Sequence, residues 1–384
     1  MWQLIFAAFI FTYLLICWYL GSRFYALFAR GQARWVRAVV LAGLLSVAAV
    51  FPLMRYVWRL LPDAIAYDAY SLSLKLGVAL FYAFVATVVF SLSARLARRL
   101  GWWPRPWRQR PLTVARWGAL AVALFAIGVV LVGHWNARHP VVVTYEIEIA
   151  KDGGELEELH ILLITDIHFG ASMNVARLAP IASAVERLAP DLILLGGDIV
   201  EGGDRVSEVE ALAAFFADLP VRFGVMAVPG NHDRALIDPT SPSAQALRAA
   251  GVDLLQDEVR VLGGGVVVVG RDDLRRRREQ RLPVAELLAG LEPSWPVIVL
   301  DHQPVAFAEV AAAGADLFLA GHTHAGQIFP ANLVTHFIYE NQRGYSRVGP
   351  MQVVVSSGYG TWGPDLRIGN RPEMVSLRVR FVGP

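Results

Sequence analysis

The sequence predicts an all-α transmembrane region of about four helices followed by an α/β domain. Three observations lead there. Four long apolar runs crowd into the first 134 residues, short β-rich runs alternate with helical segments from about residue 141, and the unusual polar residues fall at the ends of those strands. The chain is 55% hydrophobic with eleven Trp, more apolar than a soluble protein, whose apolar share is nearer ~45–50%.

The apolar runs are WQLIFAAFIFTYLLICWYL (2–20), AVVLAGLLSVAAVFPLM (38–54), LGVALFYAFVATVVFSL (76–92) and WGALAVALFAIGVVLVGHW (117–135). Each is close to the roughly 17–25 residues that cross a bilayer core. The third starts beside Lys75, whose amine would have to snorkel to the interface. The first lacks a basic leader and a small-residue cleavage site, so it is expected to be a retained helix and not a removed signal. Arginines mark the loops at 21–37 and 93–116, which contain no acids, whereas Arg55 and Arg59 between them are offset by Asp63 and Asp68. By the bias of cytoplasmic loops toward basic residues, the first and third loops lie inside and both termini lie outside. The expected division is residues 1–136 as membrane region and 137–384 as catalytic domain. The expected address is a bacterial inner or cell membrane, with the domain extracytoplasmic.

From residue 141, VVVTYEIEI and LHILLIT read as strands, VARLAPIASAVERL as a helix, DLILLGG as a strand, VSEVEALAAFFADL as a helix and VRFGVMAVPG as a strand. GGVVVVG, WPVIVL, DLFLA, MQVVVSS and EMVSLRVRF follow as further strands. Strands alternating with helices indicate a layered α/β domain.

The formal charge of +2 gives no footprint for nucleic acid. The single Cys17 lies in an apolar run, so no internal disulfide and no cysteine-based zinc site can form.

Chemistry collects at the strand ends. LHILLIT runs into Asp166 and His168, DLILLGG into Asp198, and GVMAVPG into Asn231, His232 and Asp233; WPVIVL runs into Asp301 and His302, DLFLA into His322 and His324. Open α/β sheets build their sites at the C-terminal ends of strands. A lone Asp there is more often a turn residue or helix cap, and a lone His is more often a core or surface residue. Five of nine histidines in such places is a different matter.

Imidazole and carboxylate without thiolate suit divalent ions of borderline hardness. Asp166, His168, Asp198, Asn231, His302, His322 and His324 are too many for one tetrahedral site. With one carboxylate bridging, they serve two ions ~3.5–4 Å apart. Mn²⁺ is expected, and Fe or Zn²⁺ also tolerates these ligands. Two ions against two carboxylates leave net positive charge, which favours a phosphate over a neutral peptide. A hydroxide made available by the metals would attack phosphorus in line, and His232 is surplus to the ligand count and placed to protonate the leaving alkoxide. Asp233 or Glu201 would orient that imidazole. Arg367, in GPDLRIGN, either touches substrate or pairs with an acid. RDDLRRRR (271–278) reads first as a solvated charged face.

DIH (166–168), GGD (196–198), GNHD (230–233), DH (301–302) and GHTH (321–324), in that order, resemble the signature blocks of the calcineurin-like metallophosphoesterases. The resemblance covers about residues 155–382. It implies a four-layer αββα sandwich with a dinuclear site at one edge. Carried over motif by motif, it implies Asp166, His168 and His324 for one metal, Asn231, His302 and His322 for the other, Asp198 as the bridge and His232 as the acid. GHTHAGQIFP and SSGYGTWGPDLRIGNRPE are similar to bacterial membrane-anchored members. GDIVEGG carries Glu201 and Gly203 where the Ser/Thr protein phosphatases have a phosphate-clamping arginine, which counts against a phosphoprotein substrate.

The expected activity is hydrolysis of a phosphate ester or pyrophosphate bond in a phosphorylated small molecule or lipid at the membrane. An alternative is a pyrophosphatase similar to the UDP-2,3-diacylglucosamine hydrolases on the cytoplasmic face, which the loop charges oppose. A non-enzymatic sensor or scaffold would be expected to lack ligands, and none is missing.

Overall fold

The computed structural model describes residues 2–61, 63–170, 173–201, 206–274 and 281–383. The chain divides into two units between His134 and Trp135. The first holds helices α1 (Trp2–Phe28), α2 (Arg34–Val57), α3 (Asp63–Arg99), a short α4 (Arg105–Gln109) and most of α5 (Pro111–Ala137). Among the described residues, four stretches are long and apolar enough to cross a membrane: Ala7–Phe28, Arg34–Met54, Ile65–Arg99 and Pro111–Ala137. Many of their large side chains face outward, Trp18, Leu45, Leu72 and Leu124 among them. Lipid-facing helices tolerate that, because hydrocarbon is as apolar as the side chains themselves. Between helices, the Tyr13 hydroxyl donates to Val47 O at 3.0 Å, and its ring meets Phe51 at 5.4 Å.

Helix α3 starts at Asp63, well ahead of the apolar run at 76–92. Residues 63–76 contain no Gly or Pro and are rich in Ala and Leu, so nothing in that stretch interrupts a helix.

The second unit carries twelve strands among the described residues: β1 (Val141–Ile149), β2 (Glu158–Ile164), β3 (Leu192–Gly196), β4 (Val225–Val228), β5 (Val252–Leu254), β6 (Glu258–Leu262), β7 (Val266–Gly270), β8 (Val297–Leu300), β9 (Leu317–Ala320), β10 (Gly344–Val348), β11 (Met351–Val355) and β12 (Glu373–Phe381). Its helices are α6 (Ala179–Leu188), α7 (Val206–Ala217), α8 (Arg234–Ile237), α9 (Pro242–Ala249), α10 (Val284–Leu287), α11 (Phe307–Ala312) and α12 (Ala331–Ile338). Two six-stranded sheets form, ordered β1-β12-β2-β3-β4-β5 and β10-β11-β9-β8-β7-β6.

The strand sequences explain the layering. Alternate residues of a strand point to opposite faces. Leu159, Ile161 and Leu163 of β2, with Leu192 and Leu194 of β3, therefore enter the core between the sheets. Leu162, Ile164, Ile193 and Leu195 enter the core under α6, α7 and α9. In the other sheet Ile298, Leu300, Leu317 and Leu319 face the inter-sheet core, while Val297, Val299 and Phe318 pack with Val284 of α10 and Phe307 of α11. Helix, sheet, sheet and helix are thus joined by three apolar cores, and strands buried on both faces read as continuous apolar runs. Fully burying a Leu or Ile contributes about 1.5–3 kcal/mol. A charge at Leu163 or Leu194 would therefore break the sandwich.

The short β5, β6 and β10 were not anticipated, because Asp253, Arg260 and Arg347 dilute their apolar pattern. The expected solvated face at 271–278 is corrected at its start: Arg271, Asp272 and Asp273 are buried, and Gln303 Nε2 donates to Asp273 at 2.7 Å. Arg275 to Arg278, and Gly203, lie outside the described residues.

Candidate metal centre

Parallel β2, β3 and β4 of one sheet and β8 and β9 of the other end at a common edge of the sandwich. The turns that follow them carry Asp166 and His168, Asp198, Asn231, His302, and His322 and His324. Backbone bonds lace the turns together: Asp166 N donates to Gly197 O and His168 N to Asp198 O, both at 2.9 Å.

Asp166, His168 and His324 form one cluster of ligand atoms, and Asp198, His302 and His322 form another. His168 Nε2 lies 3.1 Å from His324 Nε2, and His322 Nδ1 lies 3.0 Å from His302 Nε2. Nitrogens that close can both sit within the ~2.0–2.1 Å bond length of one ion, so the donor set fits a metal in each cluster. Asn231 Oδ1 joins the second cluster, 3.3 Å from His302 Nε2. Asp198 Oδ2 stands between them, 3.7 Å from His168 Nε2 and 3.3 Å from His302 Nε2.

The backbone is bent to hold this arrangement. Asp166, His168, Asp198, His322 and His324 all have φ between 48° and 72°. Such left-handed conformations cost non-glycine residues on the order of 1–3 kcal/mol each, and here five fall on candidate ligands. Two glycines let the turns close up, since a Cβ on Gly230 would come within 2.3 Å of Asp198 Oδ1, and one on Gly321 within 2.3 Å of Asp166 Oδ2.

Behind the candidate ligands stands a supporting layer. His168 donates from Nδ1 to Glu201 Oε2 at 2.6 Å, and His232 donates from Nδ1 to Glu201 Oε1 at 3.1 Å. Glu201, of the two residues expected to orient His232, is the one that touches its ring. Asp233 instead accepts the amides of Ile199, Val200 and Gly230, tying the Asp198 turn to the Asn231 turn. His302 donates from Nδ1 to Gly196 O at 3.0 Å.

Arg367 is fully buried and lies behind His324, which favours the supporting role over substrate contact. It donates to His324 O at 3.0 Å and Gly360 O at 2.7 Å, with Nη2 3.1 Å from His324 Nδ1. Asn370, which sequence reasoning missed, donates to His324 O at 2.8 Å. Tyr359 and Gly360 were missed as well, and their amides bind Thr165 O and Asp166 O at 2.8 Å. The one signal for this shell is the Gly-rich run after residue 356.

Charge follows the geometry. Burial works against ionising Asp198, yet His302 and His168 beside it hold its carboxyl well below the usual carboxylate range. Burial likewise opposes a charge on His302, but Asp198 outweighs it and pushes the imidazole up to about 10. Burial, with the Arg367 guanidinium next, drives His324 well below an ordinary histidine. Burial would raise Glu201, but the bonds from His168 and His232 hold it at about 2. The Glu201 bond raises His232 against its burial. Burial and the neighbouring Asp198 charge push Asp233 up to about 7 despite its three amide donors.

Comparison with known proteins gives this edge a family. The family model for calcineurin-like phosphoesterases matches residues 159–326, which include all seven candidate ligands. An Aquifex aeolicus protein described as an uncharacterized metallophosphoesterase is 30% identical over 251 residues, 62% of this chain and 94% of that protein. The chain belongs to the calcineurin-like metallophosphoesterases.

A Helicobacter pylori metallophosphoesterase is 32% identical over 226 residues, 58% of this chain and 60% of its own length. A cattle protein named transmembrane protein with metallophosphoesterase domain is 29% identical over 275 residues, 67% of this chain and 61% of its own length. The match thus spans about 60% of the length of these two relatives. With four helices able to cross a bilayer and relatives named as transmembrane proteins, this metallophosphoesterase is a membrane protein. The family and the His/Asp cluster together indicate a binuclear metal site.

Proposed function

We propose that this metallophosphoesterase is a membrane-anchored hydrolase that cleaves a phosphate ester or pyrophosphate bond of a lipid or envelope metabolite. The reading rests on Asp198 Oδ2, which stands between one His/Asp cluster and the other as a bridging carboxylate would. Asp166, His168 and His324 would hold one ion and Asn231, His302 and His322 the second. Mn²⁺ is our first choice of metal, with Fe and Zn²⁺ compatible. Bound there, two divalent ions would acidify a water and neutralise charge on the phosphoryl oxygens.

The chain's own residues do the rest. His232 gives its Nδ1 proton to the bond with Glu201, which leaves Nε2 as the atom that protonates the leaving oxygen. Glu201 steers two rings at once, fixing His168 as ligand and His232 as acid. Asp233 holds the Asp198 and Asn231 turns in register through backbone amides.

We divide the chain into a membrane region, residues 1–136, and a catalytic domain, residues 137–384. The arginine-rich, acid-free loops at 21–37 and 93–116 support a domain outside the cytoplasm of a bacterial cell membrane. A reporter fused after residue 384 that works only in the cytoplasm would reverse that topology.

The activity is tested with purified full-length protein, each metal in turn, and aryl phosphate mono- and diesters. We expect turnover with Mn²⁺ and none from Asp198→Ala. Failure of the wild type with every metal and ester would overturn the reading in favour of a non-catalytic role.

A further inference from the structure

Helix α12 follows the GHTH turn and buries none of its residues. Its sequence, ANLVTHFI, contains no acid, Lys or Arg. Leu333, Val334, Phe337 and Ile338 are exposed, Phe337 to 86%, and Phe329 just before the helix is exposed too. Apolar side chains clustered this way on one short segment mark an interaction surface and not ordinary surface scatter.

Where this surface lies suggests what covers it. At one end, the Tyr339 ring stands 6.0 Å from the ring of His322, and Thr323 Oγ1 donates to Gln342 O at 2.6 Å, so the helix leads back to the more open cluster of the metal centre. At the other end, Phe329 N donates to Ile368 O at 2.8 Å. The same loop receives the start of the unit: Asn136 Nδ2 donates to Arg367 O at 3.2 Å, and Arg138 pairs with Asp365 at 3.6 Å. Asn136 belongs to the last candidate membrane span, Pro111–Ala137. Asn136, at the end of that candidate span, and Phe329, at the start of the apolar surface, therefore both bond to one loop, and exposed Trp362 lies in it.

We propose that the apolar face of α12, with Phe329 and Trp362, dips into the headgroup layer of the bilayer. Its occupant is lipid, because a segment without charge, tied to a loop that also holds a membrane-span terminus, reaches a bilayer before any soluble partner. The surface ends at His322, so the phosphate it presents to the metal centre is one carried on a bilayer lipid. This second step rests on the proposed phosphoesterase activity; the docking step does not.

The two are separable by experiment. Full-length protein carrying Cys17→Ser and a nitroxide at Phe337→Cys is placed in phosphatidylcholine nanodiscs, with a label at Glu186→Cys as a water-exposed control. We expect the label at 337 to be reached by oxygen and shielded from an aqueous nickel chelate, and equal accessibility at both sites would overturn docking whatever the activity.

Hydrolysis of dioleoyl phosphatidic acid in the nanodisc is then compared with that of soluble dihexanoyl phosphatidic acid. Leu333→Glu and Phe337→Glu should slow only the bilayer substrate, by about ten- to a hundredfold, the factor set by losing one buried apolar side chain. Equal slowing of both, or wild-type turnover of the soluble ester alone, would overturn the lipid-substrate step. Turnover of neither by the wild type would also overturn it, through failure of the activity reading, with docking still decided by the label.

Discussion

On one side of Asp198, the candidate ligands Asp166, His168 and His324 are all buried, and charged groups stand behind two of them: Glu201 behind His168 and Arg367 behind His324. On the other side, Asn231 and His322 are only half-buried, and His302 leans on a neutral carbonyl, Gly196 O. A carboxylate behind an imidazole raises its basicity as a ligand, and a guanidinium lowers it. The closed half is thus backed by two opposed charges, while in the other half His302 has a neutral carbonyl behind it and Asn231 and His322 are partly exposed. If both clusters hold a metal, the closed half would be the harder to empty and the open half the nearer to an entering substrate.

The largest test removes what the halves share. Asp198→Ala should lose metal from both positions and reduce hydrolysis to background, read by metal analysis and turnover together. Retention of a full metal complement would contradict a bridging role for Asp198. Next, His322→Ala and His324→Ala should each lose one ion, from opposite halves, with the open half emptying first on mild chelation of the wild type. Loss of the same ion in both variants would erase the distinction between the halves.

How far the sequence reaches differs between these parts. The strand-end polar residues were legible because a strand advertises itself by its apolar run, so an Asp or His soon after Ile164, Gly197 or Ala320 stands out. Both apolar faces of β2 and β3 were legible for the same reason, as unbroken runs. The layer behind the ligands was not. Arg367 is 43 residues from His324 and reaches it only because the 358–370 loop folds back under the GHTH turn. No local pattern encodes that return. Nor did any pattern give the left-handed φ of His168 or His324, which tertiary contacts impose on residues whose own preference is otherwise. Asp233 shows the limit most plainly: its place beside His232 in the chain suggested that it orients the ring, whereas its carboxylate turns away to three backbone amides.

A smaller effect is expected at the acid. His232→Ala should lower kcat by about 10²–10⁴, the usual contribution of general acid catalysis. The loss should shrink for p-nitrophenolate, which departs without a proton, and grow for an alkyl phosphate. An equal loss for both leaving groups would remove His232 from the proton-transfer step and leave it a structural neighbour of Asn231.

The smallest effect sharpens the comparison most, because it touches one half through its support alone. Glu201→Gln keeps the shape and removes the charge that His168 and His232 share. Activity should fall by about 10–100-fold, the usual cost of losing a carboxylate behind a metal-binding histidine. The pH profile carries the diagnosis. The hydrogen bond to Glu201 raises the pKa of His232. Without that charge the basic limb of the kcat profile should move toward lower pH. The same linkage gives the sign for stability: the part contributed by His232 is fully present below the unfolded histidine pKa and is lost as pH rises through the raised folded value. Glu201, held low, contributes in the opposite window, above the unfolded carboxylate pKa, and loses its contribution as pH falls toward about 2. A variant that loses rate with an unmoved basic limb would mean that Glu201 serves His168 alone, and the proton donated to the leaving group would then have to come from another atom.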